Sequence, residues 1–118
     1  ASLPHPRIVS VAATQGSGSL ASFSNFGVES VDIAAPGDTI LSTVPTEMEN
    51  LANTGVPGYG TKRGTSMAAP MVTGAIALIW SYNPDLTSEE VLEKLYGSAT
   101  TPGNFENKKI DYCTQTTK

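Results

Sequence analysis

The chain turns on Gly64-Thr65-Ser66-Met67-Ala68-Ala69-Pro70, which runs on as Met71-Val72-Thr73-Gly74-Ala75-Ile76-Ala77-Leu78-Ile79-Trp80. A turn residue and a capping residue, Thr65, lead into a serine, and a long apolar run dense in alanine follows. The pattern predicts a helix over residues 65–82, apolar on nearly all sides and therefore central and buried, with Ser66 at its mouth. The N–H groups of a first helical turn lack intrahelical acceptors and lie at the positive end of the helix dipole. An oxygen becoming anionic is stabilised there. Small residues at Ala68, Ala69, Gly74, Ala75 and Ala77 let other backbones approach closely. Pro70 is the anomaly: with Thr65 as the cap, it falls just past the first turn and removes one helical hydrogen bond. Either the helix begins nearer Met67 or Ser66 occupies a strained start.

Upstream, Arg7-Ile8-Val9-Ser10-Val11-Ala12-Ala13 and Val31-Asp32-Ile33-Ala34-Ala35-Pro36-Gly37 are short and nearly continuous in apolar character. That suits strands buried on both faces, as in a parallel sheet covered by helices. Asp38-Thr39-Ile40-Leu41-Ser42-Thr43-Val44 reads as a third, shorter strand. Residues 20–27 read as an irregular segment packing the rings of Phe23 and Phe26. Residues 45–58 read as an exposed loop, and residues 58–63 as one arm of a hairpin returning toward Ser66. Downstream, Asn83-Pro84-Asp85 stops the first helix. Thr87-Ser88-Glu89-Glu90 is a capping box, flanked by Leu86 and Val91 at the positions of a hydrophobic staple. A second helix follows and is expected to end at Gly97. Lys108-Lys109-Ile110-Asp111-Tyr112 is a candidate last strand, and the tail, residues 114–118, is expected to be loose. The fold class is α/β: about three core strands, a helix carrying Ser66, and a second, C-terminal helix.

With 118 residues the chain suffices for one domain. Its net charge of -4 and its lack of any basic block argue against nucleic acid as a partner. No apolar run exceeds residues 75–80, far short of a membrane span. Cys113 is the only cysteine, so no disulfide forms within the chain.

The motif at residues 64–70 resembles the nucleophile motif of the subtilisin-like serine proteases, the subtilases. The likeness extends through Ile8-Val9-Ser10-Val11-Ala12-Ala13, Leu20-Ala21-Ser22-Phe23-Ser24-Asn25-Phe26-Gly27, Val31-Asp32-Ile33-Ala34-Ala35-Pro36-Gly37 and Ile40-Leu41-Ser42-Thr43, in the family's order, over residues 1–100. The resemblance implies that Ser66 is the nucleophile of an acyl transfer on peptide bonds, with its own backbone N–H as one oxyanion donor. Gly64, Thr65, Met67, Ala68, Ala69 and Pro70 support it as the rest of the motif. It further implies that Ala1, Ser2 and Leu3 lie near the floor of a substrate pocket, against the alternative of a frayed terminus. In subtilases the aspartate, the histidine and the oxyanion asparagine stand earlier than anything here. The chain is therefore expected to be the C-terminal part of a catalytic domain, one incomplete domain over residues 1–118, and inactive alone.

Nothing present substitutes. His5 is the only histidine, and it lies between two prolines instead of in the family's His-Gly-Thr context. Asp32 sits in a strand motif and Asp38 in a turn. Met71 stands where the family usually carries histidine, a change expected to affect packing and not the reaction. The chemistry requires no cofactor. Family members often bind calcium, partly through loop carbonyls, but Asp38, Glu47 and Glu49 are too dispersed to build a site. The partners implied are a polypeptide substrate, the missing N-terminal half of the domain and a propeptide, with secretion or a vesicular location. A half-sheet with an unpaired edge is also expected to self-associate. The rival reading is a non-catalytic subtilase-like binding or scaffolding domain, which has no chemical reason to keep the serine.

Overall fold

The computed structural model describes residues 5, 7–27, 30–45 and 54–100. Strand β1 (Val11–Thr14) pairs in parallel with β2 (Ile33–Pro36), in the register Val11 with Ile33 through Thr14 with Pro36. Both strands are rich in alanine where they face the helical layer. Ala13 and Ala35, paired in register on the face toward α1, are buried, and side chains this small bring a helix close to the sheet. The two expected strands thus form, each shorter than the apolar run that announced it.

The third expected strand forms as β3 (Ile40–Thr43), but it does not extend the parallel sheet. It pairs antiparallel with β4 (Tyr59–Lys62) as a separate hairpin, and only Ile40 on it is even partly buried. Its Ile-Leu-Ser-Thr sequence, half of it polar and exposed from Leu41 onward, suits a ribbon facing water better than a core strand. The turn into it contains Thr39 at φ 58, the one non-glycine residue with positive φ among those described.

Helix α1 (Thr65–Tyr82) lies over β1 and β2, and α2 (Ser88–Ser98) packs on α1. Ala68, Val72, Ala75, Ile76 and Ile79 form the inward stripe, at the spacing of one helical face. The expectation of a helix buried on all sides is corrected here. Only Ala68 and Val72 are fully buried, while Leu78 is 72% exposed and Tyr82 87%. A two-stranded sheet and one companion helix cover one face, and no other described element covers the opposite face. Gly64, not Thr65, is the cap of α1, and no side chain caps that end. Pro70 sits inside the helix without breaking it. The helix therefore does not begin at Met67, and Ser66 is not among the residues with positive φ.

The capping box of α2 is present as expected. The Thr87 N–H donates to Glu90 Oε2 at 2.8 Å, and the Glu90 N–H donates to Thr87 Oγ1 at 3.3 Å. Val91 is fully buried beside it. The helix passes Gly97 and ends at Ser98 with Ala99 as cap in an extended conformation, so no left-handed glycine is needed there. In the segment after β1, the two rings are not the buried groups. Phe23 and Phe26 are exposed, and Ala21 and Ser24 are buried instead. Ser24 Oγ accepts the Ala13 N–H at 2.8 Å, and the Ala21 N–H donates to the Ala13 carbonyl at 2.9 Å. This short loop closes one end of the free edge of β1. Ala1, Ser2, Leu3, the candidate strand at residues 108–112 and Cys113 lie outside the described residues.

Candidate active site

Ser66 is the second residue of α1 and is exposed. Four residues before it stands Lys62, in β4, so the Ser66 N–H has no helical acceptor. The first helical bond runs from the Met67 N–H to the Gly64 carbonyl at 3.0 Å. Because residue 70 is proline, the Ser66 carbonyl also lacks the amide that an uninterrupted helix would offer it. Among the described residues the Ser66 hydroxyl makes no hydrogen bond. The first turn contains no acidic residue, so no carboxylate offsets the helix dipole at that point.

Ser66 opens onto a cavity of about 490 Å³. One wall is Thr65, Ser66 and Ala69 of the first turn of α1; the facing wall is Ile8, Val9 and Val11, entering and beginning β1. Alternation along β1 explains why an edge is open there. Ser10 and Thr14 turn their carbonyls toward the β2 side, accepting the Ile33 and Gly37 N–H groups. Val9, Val11 and Ala13 therefore turn their backbone groups the other way. Ala13 is satisfied by Ala21 and Ser24, and the cavity begins where that loop stops. Asn25 and Ser30 also line it. Sequence reasoning passed over both, and their only signal is that they are polar residues in loops between apolar strands.

The remaining motif residues divide by role. Gly64 caps the helix, Met67 is half-buried, Ala68 is buried against the sheet, and Ala69 lines the cavity. Met71 is exposed, so any packing role for it does not lie within the described core.

His5 is not brought to the serine. It lines a different cavity of about 270 Å³ with Asp32, Glu89, Glu93 and Tyr96. Its Nδ1 accepts the Arg7 N–H at 3.2 Å. Asp32 also has structural work: its carboxylate accepts the Ser10 N–H at 2.7 Å. Burial, and then the Asp32 charge, push the Tyr96 hydroxyl above its ordinary pKa. Asp38 accepts the Thr39 hydroxyl at 3.3 Å, in the turn before β3. The described residues thus contain a candidate nucleophile and a candidate oxyanion donor, with His5 in a different cavity. Among the described residues no three acidic, histidine or cysteine side chains converge as a metal-holding group. No described helix is long and apolar enough to cross a membrane.

The sequence profile of the subtilase family matches residues 4–112. The chain belongs to that family. It is 41% identical over 100 residues to subtilisin NAT of Bacillus subtilis subsp. natto, covering 85% of this chain and 23% of that protein. It is 40% identical over 88 residues to an extracellular protease of Xanthomonas campestris, covering 75% of this chain and 14% of the relative. Among solved structures, a protease from Pseudoalteromonas arctica superposes with a TM-score of 0.68 at 34% identity, over 80% of this chain and 30% of that one. The chain therefore spans under a third of each of these relatives.

Proposed function

We propose that this chain is the nucleophile-bearing, C-terminal part of a subtilisin-type serine endopeptidase, with Ser66 as the attacking residue. The observation that carries the proposal is the exposed serine in an uncapped first helical turn, with its own N–H free, at the rim of a cavity in a chain of this family. Ser66 Oγ attacks the carbonyl carbon of a peptide bond, and its proton passes to a base. That base comes from the rest of the domain, because His5 lies in another cavity. The carbonyl oxygen becomes an oxyanion and accepts the Ser66 N–H. Collapse of this intermediate breaks the C–N bond, the amine leaves with the proton, and an ester on Ser66 remains. Water then attacks the ester carbonyl, the bond to Ser66 Oγ breaks, the acyl group leaves as a carboxylic acid and Oγ takes back its proton.

The missing partner is the N-terminal part of the same domain. The open edge at Val9 and Val11 offers backbone donors and acceptors to an added strand, and the uncovered face of α1 offers Leu78 and Tyr82. A polypeptide is the substrate, and a propeptide is a further partner. The relatives act in more than one place: one is named extracellular and another, from Bacillus subtilis, is the major intracellular serine protease. We favour secretion for the parent. The test is a fluorophosphonate probe applied to the full-length protein and to the 118-residue chain. Ser66 is expected to label in the former only, and Ser66→Ala to abolish labelling. Labelling that survives Ser66→Ala sinks the assignment, and no labelling of the intact full-length protein supports a non-catalytic domain instead.

A further inference from the structure

We infer that Gly37, at the end of β2, is a positioning residue for the Ser66 nucleophile, an inference that rests on the reading of Ser66 just given. Gly37 is buried where the sheet, the hairpin turn and the mouth of α1 meet. Its N–H donates to the Thr14 carbonyl at 2.9 Å, which ties it to β1. Its carbonyl accepts the Gly64 N–H at 2.8 Å, which ties it to the cap of α1. Gly64 in turn supplies the carbonyl that opens the helix at Met67. Two hydrogen-bonded steps therefore connect the core strand to the residue two places before Ser66.

Glycine is required at 37 for space and not for backbone conformation, since Gly37 is not among the glycines with positive φ. A Cβ there would meet Ala13 Cβ at 2.7 Å, the Gly64 carbonyl oxygen at 2.8 Å and Ala68 Cβ at 3.1 Å. Ala13 and Ala68 are fully buried. All three neighbours are backbone or stub side chains, so none can rotate away. To restore ordinary contact at about 3.4 Å, the Gly64 carbonyl must retreat by about 0.6 Å, and the mouth of the helix moves with it. Misplacing a reacting atom by about 1 Å can cost on the order of 100-fold in rate.

The experiment is Gly37→Ala in the full-length protein. The readouts are the fluorophosphonate labelling rate at Ser66 and the kcat and KM for a peptide substrate. The expected result is a fall on the order of 10- to 100-fold in labelling rate and kcat, with KM little changed. Val91→Ala, a core change on α2, is the control, and it should lower the melting temperature without this fall. Labelling stoichiometry gives the folded fraction, so the rate refers to folded molecules alone. Should no Gly37→Ala protein fold, Gly37→Ala/Ala13→Gly removes the shortest contact and keeps the one to Gly64, and it should still label slowly. A wild-type rate in either folded variant, or an equal fall in Val91→Ala, overturns the inference. Labelling that survives Ser66→Ala overturns the reading of Ser66 instead, so the two failures are distinct.

Discussion

Replacing Leu95 by alanine tests whether α2 is docked on the core as the packing requires. Leu95 is 7% exposed and belongs to the buried cluster with Ala13, Ala21, Ala35, Ala68 and Val72. The substitution removes three carbons, worth about 2.4 kcal/mol at roughly 0.8 kcal/mol per methylene. A cavity term adds to this when neighbours cannot collapse into the void. Four of the five other buried members of the cluster are alanines, and the partly buried Ile33, Ile76, Ile79 and Leu92 packed against it recover only part of the void. The expected loss is about 3 kcal/mol, a large part of the roughly 5–15 kcal/mol that holds a domain together. In urea, with a slope of about 1.5 kcal/mol per molar, the midpoint falls by about 2 M. Circular dichroism during urea titration of the 118-residue chain reads this directly. Glu93→Ala, on the exposed face of the same helix, should cost less than about 0.5 kcal/mol. A Leu95→Ala loss below about 1 kcal/mol at an unchanged slope would refute the packing of α2 described above.

Two further outcomes follow from α2 and from the uncovered surfaces. The Glu90 carboxyl is held below its ordinary pKa, first by the Thr87 N–H and then by the Thr87 hydroxyl. A lowered folded value means that the stabilisation is present above the ordinary value of 4.5 and is lost as the pH falls through the folded value. Helicity of α2, followed by amide exchange, should therefore decline in acid, and Glu90→Gln should flatten that dependence; an unaltered profile counts against the capping box. The free edge of β1 and the exposed side of α1 should make the isolated chain self-associate, which sedimentation velocity reads. A stable compact monomer contradicts this expectation.

Much of the fold was legible in the sequence because it rests on local rules. The capping box depends on two side chains three residues apart, so Thr87 and Glu90 announced the start of α2. The alanine-rich runs around Ala12 and Ala35 announced parallel strands, because only strands covered by helices are so uniformly small and apolar. The cap of α1 was less legible. Thr65 looked like the cap, yet Gly64 takes that place because its amide is held by the Gly37 carbonyl, across 27 residues of chain. The fate of residues 40–43 was also hidden, since four residues of mixed polarity fit a parallel sheet or a hairpin, and the partner at residues 59–62 decides.

Ser66 shows the same division. From the residues alone come a serine at a helix start, the free N–H beside it, and the likeness of the surrounding segments to the subtilases. These follow from short-range geometry and from patterns that survive in one dimension. That Ser66 borders the open edge of β1, that His5 belongs to a separate cavity, and that Gly37 has no room for a methyl group follow from contacts between residues far apart in the chain. Such contacts depend on where whole elements come to rest. A helix apolar on every side reads as buried, but burial needs neighbours, and among the described residues α1 has them on one side only.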